Sequence, residues 1–109
     1  MAYDEELAER IRGALAAWEG VSERKMFGGI GFMVGGNMAC GVSGDEMIVR
    51  LAPDDADAAL EEPEVREFEG GGRPMRGWIL VAPAATAGNE SLAAWVTRGA
   101  DFAASLPPK

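Results

Sequence analysis

The chain has 109 residues, 48% of them hydrophobic, with ten Lys and Arg against eighteen Asp and Glu for a formal net charge of −8. This length predicts one domain over residues 1–109, large enough to bury a core without disulfides or a structural metal, and the apolar content excludes wholesale disorder. So acidic a molecule is a poor stand-alone binder of nucleic acid, whose phosphates are held chiefly by Lys and Arg.

The acidic start, Met1-Ala2-Tyr3-Asp4-Glu5-Glu6, lacks the basic and apolar regions of a secretory signal. No apolar run reaches the roughly 18 residues of a membrane helix. A single cysteine, Cys40, cannot form an internal disulfide and fits a reducing cytoplasm.

Residues 4–19 read as an amphipathic helix. Leu7, Ile11, Leu15 and Trp18 form its apolar stripe, Asp4 its N-cap and Gly20 its stop. Gly13, inside the helix, costs about 1 kcal/mol relative to alanine. A close approach of helix to sheet would explain it. From residue 25 the period changes. Met26 to Val34, Met38 to Val42 and Glu46 to Leu51 read as three strands, joined by turns at Gly35-Gly36-Asn37 and Ser43-Gly44-Asp45. Short turns between three strands predict an antiparallel meander.

Pro53 to Leu60 predicts a short helix with Asp54 and Asp55 in its first turn, stopped at Pro63. Residues 64–73, polar and ending in Gly70-Gly71-Gly72, read as a mobile loop. Arg76 to Ala82, with Trp78, Ile79, Leu80 and Val81, reads as a strand buried on both sides, and Pro83 opens a connector. A second long helix spans Asn89 to Leu106, with Leu92, Trp95, Val96, Gly99, Phe102, Ala103 and Leu106 on one face. The order α-β-β-β-α-β-α predicts an α+β two-layer sandwich, helices on an antiparallel sheet of four to five strands.

Little catalytic chemistry is on offer. The chain contains no histidine, which removes the commonest general base and metal ligand, and one cysteine excludes zinc thiolate sites. Cys40, in a strand interior, reads as a buried small residue. Gly28-Gly29-Ile30-Gly31 lacks the third glycine of a dinucleotide loop and the Gly-Lys-Ser/Thr of a P-loop; strand bends or close contacts account for it. The adjacent pairs Asp54/Asp55 and Glu61/Glu62 diverge on a helix and read as solvated faces. Met26, Met33, Met38, Met47 and Met75 read as core, with an adaptable binding surface as the alternative. The reading is therefore not an enzyme, with no catalytic, cofactor or metal site.

Arg24, Lys25, Arg73 and Arg76 are the candidate site. They flank predicted strand starts, and would gather if those starts share one end of the sheet. Either they pair with the many acids, or they form a site for an anion or acidic partner.

Lys25-Met26-Phe27-Gly28-Gly29-Ile30-Gly31-Phe32-Met33, the following Gly35-Gly36-Asn37-Met38-Ala39-Cys40-Gly41, and the later Arg73-Pro74-Met75-Arg76-Gly77-Trp78 with Trp95-Val96 and Phe102 resemble the N-terminal domain of TfoX/Sxy-type proteins. The resemblance covers nearly the whole chain. It implies a two-layer sandwich similar to type III secretion chaperones, and a protein-binding or regulatory role in the bacterial cytoplasm, with a homodimer as one assembly. Full-length members regulate natural competence, apparently by assisting a transcription activator, and carry a second, C-terminal domain, for which 109 residues leave no room.

Overall fold

A computed structural model describes residues 3–26, 28–70 and 73–108, with the side chains of residue 26 and of residues 69, 70 and 73 to 75 outside that description. The elements run α1 (Glu5–Ala14), β1 (Val21–Met26), β2 (Gly29–Val34), β3 (Asn37–Ser43), β4 (Glu46–Arg50), α2 (Pro53–Ala59), β5 (Val65–Gly70), β6 (Arg73–Val81), α3 (Pro83–Thr86) and α4 (Asn89–Ser105). The fold is α+β, as expected, but its antiparallel sheet has six strands, in the order β1-β2-β3-β4-β6-β5.

Two strands were not anticipated. The expected first strand, Met26 to Val34, contains a turn: Gly28 adopts φ +73, and β1 folds back on β2. β1 reads Val-Ser-Glu-Arg-Lys-Met and is exposed from Val21 to Lys25, so it carries no apolar period. β5 lies where a mobile loop was expected. Its apolar residues Val65 and Phe68 are buried on opposite faces of the sheet, and the register with β6 shifts between Glu67 and Glu69. Residues three apart fall on opposite faces of a strand, so neither face of β5 carries the apolar repeat by which a strand is recognised.

The helices all pack on one face. Leu7 and Ile11 of α1, Ala56 and Ala59 of α2, and Leu92, Trp95, Val96 and Ala103 of α4 share one core with Ile30, Phe32, Cys40, Val42, Met47, Val49, Ile79 and Val81. Across the sheet these strand residues stand in register: Ile30, Val42, Met47, Val81 and Val65 form one row. On the other face Met33, Met38, Ile48, Phe68 and Leu80 form a second buried cluster against Trp78. Three of the five candidate core methionines, Met33, Met38 and Met47, are thus buried; Met26 and Met75 lie outside the described side chains.

α1 is shorter than expected. Asp4 caps it through Glu6 and Leu7 N–H, but after Ala14 the chain continues in single turns, Ala16 N–H to Gly13 and Trp18 N–H to Leu15. Gly13 is exposed, and an added Cβ would meet nothing within 4 Å, so no close approach explains it. The close approach is made by α4: a Cβ on Gly99 would overlap the carbonyl oxygen of Ala39 in β3. At the far end Asn37, buried, donates from Nδ2 to the Pro107 carbonyl at 2.9 Å and ties the end of the chain to the start of β3.

These two helical glycines have opposite expected behaviour. Gly99→Ala forces α4 off the sheet and lowers unfolding free energy by about 1–3 kcal/mol. Gly13→Ala raises it by up to about 1 kcal/mol. Urea midpoints of the two variants against the parent check both signs.

Candidate functional site

The four candidate cations occupy different parts of the sheet. Arg24 and Lys25 are consecutive in β1, the outermost strand, and both are exposed. Arg24 is paired with Gly31 and Lys25 with Ile30, so Lys25 stands on the helix-covered face and Arg24 on the other. Neither has an acid partner among the described residues. Arg76 is in β6, separated from β1 by three strands, a lateral distance of roughly 19 Å at the usual strand spacing. It is committed to α2, donating to Asp57 Oδ2 at 2.9 Å and Asp54 Oδ1 at 3.4 Å, and these carboxylates raise its pKa. The side chain of Arg73 lies outside the described residues. The structure does not bring the three described cations together.

The acids near them are partly occupied as well. Glu23 accepts from Arg12 of α1 at 2.6 and 2.9 Å, which holds its carboxyl below the usual range, and Arg12 also pairs with Glu9. Arg66 of β5 pairs with Glu46 of β4. Arg10 donates to the carbonyls of Thr86 and Ala87 and to Asn89 Oδ1, fixing α1 to the start of α4. Such exposed pairs contribute about 0–1 kcal/mol each.

The glycine-rich segment is structural. A Cβ on Gly29 would overlap the Val42 carbonyl oxygen, so β2 and β3 can lie this close only with glycine there. Phosphate-loop chemistry needs a helix after such a loop, and here two strands follow. Cys40 is fully buried, paired with Phe32 and Val49, and desolvation pushes its thiol up to about 12. No group of three or more His, Cys, Asp or Glu among the described residues could hold a metal. No helix among them is long and apolar enough to cross a membrane.

A second cationic feature lies at the other end of β4. Arg50, the last residue of that strand, is half-buried and its guanidinium carbon lies 5.3 Å from the Trp78 ring centroid and 5.5 Å from that of Phe102. The backbone sets this up: Arg50 pairs with Trp78 across β4 and β6, and Leu51 N–H donates to the Gly77 carbonyl at 2.7 Å. Trp78 in turn packs on Phe68, ring centroids 6.2 Å apart. Beside Phe102 is an open depression of about 370 Å³ lined by Leu51, Asp55, Arg98, Asp101, Phe102 and Ser105. Arg98 stacks on Trp95 at 4.5 Å. Read as a sequence, Arg50 is only the polar member of an alternating strand. The signal that separates it, an aromatic on each of two distant elements, exists only once they are assembled.

The model of the family described as the TfoX N-terminal domain matches residues 13–103. Neither the curated proteins nor the solved structures contain a match.

The Cys40 environment has a pH signature. A thiol whose folded pKa is raised stabilises the fold fully below its unfolded value of 9.0, and this contribution is lost as pH rises toward about 12. Native protein is therefore expected to be inert to a thiol reagent at pH 8 and to react only when denatured. Cys40→Ala is expected to flatten the stability loss between pH 9 and 11, measured by urea unfolding.

Proposed function

Because the chain belongs to the TfoX N-terminal domain family, we propose that it is a non-enzymatic protein-binding module of the bacterial cytoplasm, regulatory in role, which takes an extended acidic segment of a partner along β1. The observation that carries this reading is the state of that strand. β1 is outermost in the sheet, exposed from Val21 to Lys25, and bears two cations with no acid partner among the described residues, one on each face. An edge strand presents unpaired N–H and C=O groups that an added strand can satisfy, and its side chains select the partner. The one acid of β1, Glu23, is already bound to Arg12, so the charge left to be matched is positive.

The same charges disfavour a second copy as the occupant. Antiparallel pairing of β1 with itself about a two-fold axis centred on residue 23 or 25 sets Glu23 or Lys25 opposite its own copy, and like charges directly opposite destabilise a sheet; centred on residue 24 it sets Arg24 against Arg24 and leaves each Lys25 facing a Glu23 already bound to Arg12. An acidic segment meets Arg24 and Lys25 instead.

Capture of partners from a bacterial lysate, followed by hydrogen exchange on the complex, tests both parts. The expected result is new protection at the amides of residues 21–26, with the affinity falling at least about tenfold in the Arg24→Glu/Lys25→Glu variant. Recovery of no partner overturns the protein-binding reading. Protection elsewhere, with binding indifferent to the charge reversal, overturns the edge; a dimer of this chain protected at β1 replaces the foreign segment with a second copy.

A further inference from the structure

The backbone of β1 alternates between its partner strand and its open side. β1 pairs with β2 without a shift, from Val21 opposite Val34 to Met26 opposite Gly29, and in the same register Gly35 N–H donates to the Gly20 carbonyl at 3.0 Å. That bond belongs to a hydrogen-bonded pair of the antiparallel ladder, and such pairs alternate along it. Ser22 and Arg24 therefore turn their N–H and C=O groups to β2, and Val21, Glu23 and Lys25 turn theirs to the open edge. On the premise that β1 is the docking edge, as proposed above, we infer that its ligand is an extended segment antiparallel to β1. It carries two consecutive acids, opposite Lys25 and Arg24, and an apolar residue opposite Val21.

Each part of the pattern has a physical cause. Antiparallel addition lets Val21, Glu23 and Lys25 each exchange both bonds with the residue opposite, in the geometry the rest of the sheet uses. Arg24 and Lys25 point to opposite faces, and both are exposed with no acid partner among the described residues. Side chains of an extended segment alternate in the same way, so adjacent acids reach both cations. The pair formed at Arg24 is of the non-hydrogen-bonded kind, in which opposing side chains lie closer. Glu23 is held through both carboxylate oxygens by Arg12, and an acid opposite it would meet like charge. An uncharged residue belongs there.

Val21 supplies the apolar end. It is the large hydrophobic residue left exposed among the described residues, at 37%, and it stands opposite Val34, which is buried in the main core. An apolar side chain opposite Val21 takes that surface out of water. The direction of the segment follows from that of β1: an antiparallel chain meets Lys25 first and Val21 last. From its N-terminus the segment therefore reads acid, acid, uncharged residue, any residue, apolar residue.

The probe is acetyl-Thr-Glu-Glu-Thr-Thr-Ile-Thr-amide, titrated into ¹⁵N-labelled protein at constant ionic strength. Two peptides of the same composition are compared with it: the reversed sequence, and acetyl-Thr-Glu-Thr-Glu-Thr-Ile-Thr-amide, in which the acids are separated. The expected result is saturable shifts, largest at the Val21, Glu23 and Lys25 amides, with binding at least about threefold weaker for both comparison peptides. Lysine in place of the first acid is expected to weaken binding to the parent and to restore it in Lys25→Glu but not in Arg24→Glu. Unperturbed amides outside β1 verify the fold of both variants. Hydrogen exchange of the free protein checks the backbone independently, with the Ser22 and Arg24 amides protected and those of Val21, Glu23 and Lys25 open. Equal binding of the three peptides, rescue of Arg24→Glu instead of Lys25→Glu, or the opposite alternation of exchange overturns the pattern and leaves the β1 docking edge standing. No response of β1 to any of the peptides at millimolar concentration overturns both.

Discussion

Much of this fold depends on one backbone-to-backbone contact, where α4 lies on β3 with Gly99 against the carbonyl of Ala39. Ala39 sits beside the register shift between β2 and β3, Cys40 pairing with Phe32 and Met38 with Met33. A bulge of this kind increases local twist. With no side chain between them, helix and sheet approach closely enough for Leu92, Trp95, Val96, Ala100 and Ala103 to be buried together. Burying one Leu or Val fully contributes about 1.5–3 kcal/mol, so the separation of the two layers governs a large share of the stability. α1 and α3 then dock on α4 as well as on the sheet.

The same docking shapes the margins of the sheet. Because the long helix crosses the sheet near the ends of β3 and β4, its C-terminal half carries Phe102 to the end of β4, where Arg50 and Trp78 meet it. On the opposite margin Arg12 of α1 reaches β1, its guanidinium binding Glu23 and lying 5.8 Å from the Phe32 ring centroid. One end of the sheet is therefore closed by aromatic and cationic packing while one edge stays open. The acidic excess is spread over α1, α2 and the segment that follows it, leaving small positive regions on a negative molecule.

How much of this the sequence disclosed depends on whether a residue's role is local. The stripe of α4, the alternation of β4 and the turns at Gly35-Gly36 and Gly44 are local patterns, and each is realised, while that of α1 is realised as far as Ile11, Leu15 and Trp18 lying beyond the helix. β1 and β5 were illegible for opposite reasons. The first is a charged edge with nothing to bury, and the second buries one apolar residue on each face, Val65 on one and Phe68 on the other. Gly13 and Gly99 look alike in the sequence, and only the path of each helix tells which is needed. The candidate cations were grouped on the premise that strand starts share one end of a sheet. β1 and β6 run in the same direction, and Lys25 stands in the row of Val81, so Arg24 and Lys25 lie level with the end of β6, away from Arg76, which the acids of α2 hold.

The strand order carries a further consequence, for the entropy of assembly. Of the five pairings in the sheet, β1-β2, β2-β3, β3-β4 and β5-β6 join neighbours in the chain, and β4-β6 skips one strand. Loop-closure cost grows slowly with length, and short hairpins incur the least of it. The sheet is thus inexpensive to close, hairpin by hairpin. The costly closures are those that bring the two ends of the chain back upon it: Arg10 with Asn89, and Asn37 with Pro107, residues 79 and 70 positions apart. The loop-closure cost of the native topology is thus small within its hairpins and larger where the helices and the end of the chain are tied back to the sheet.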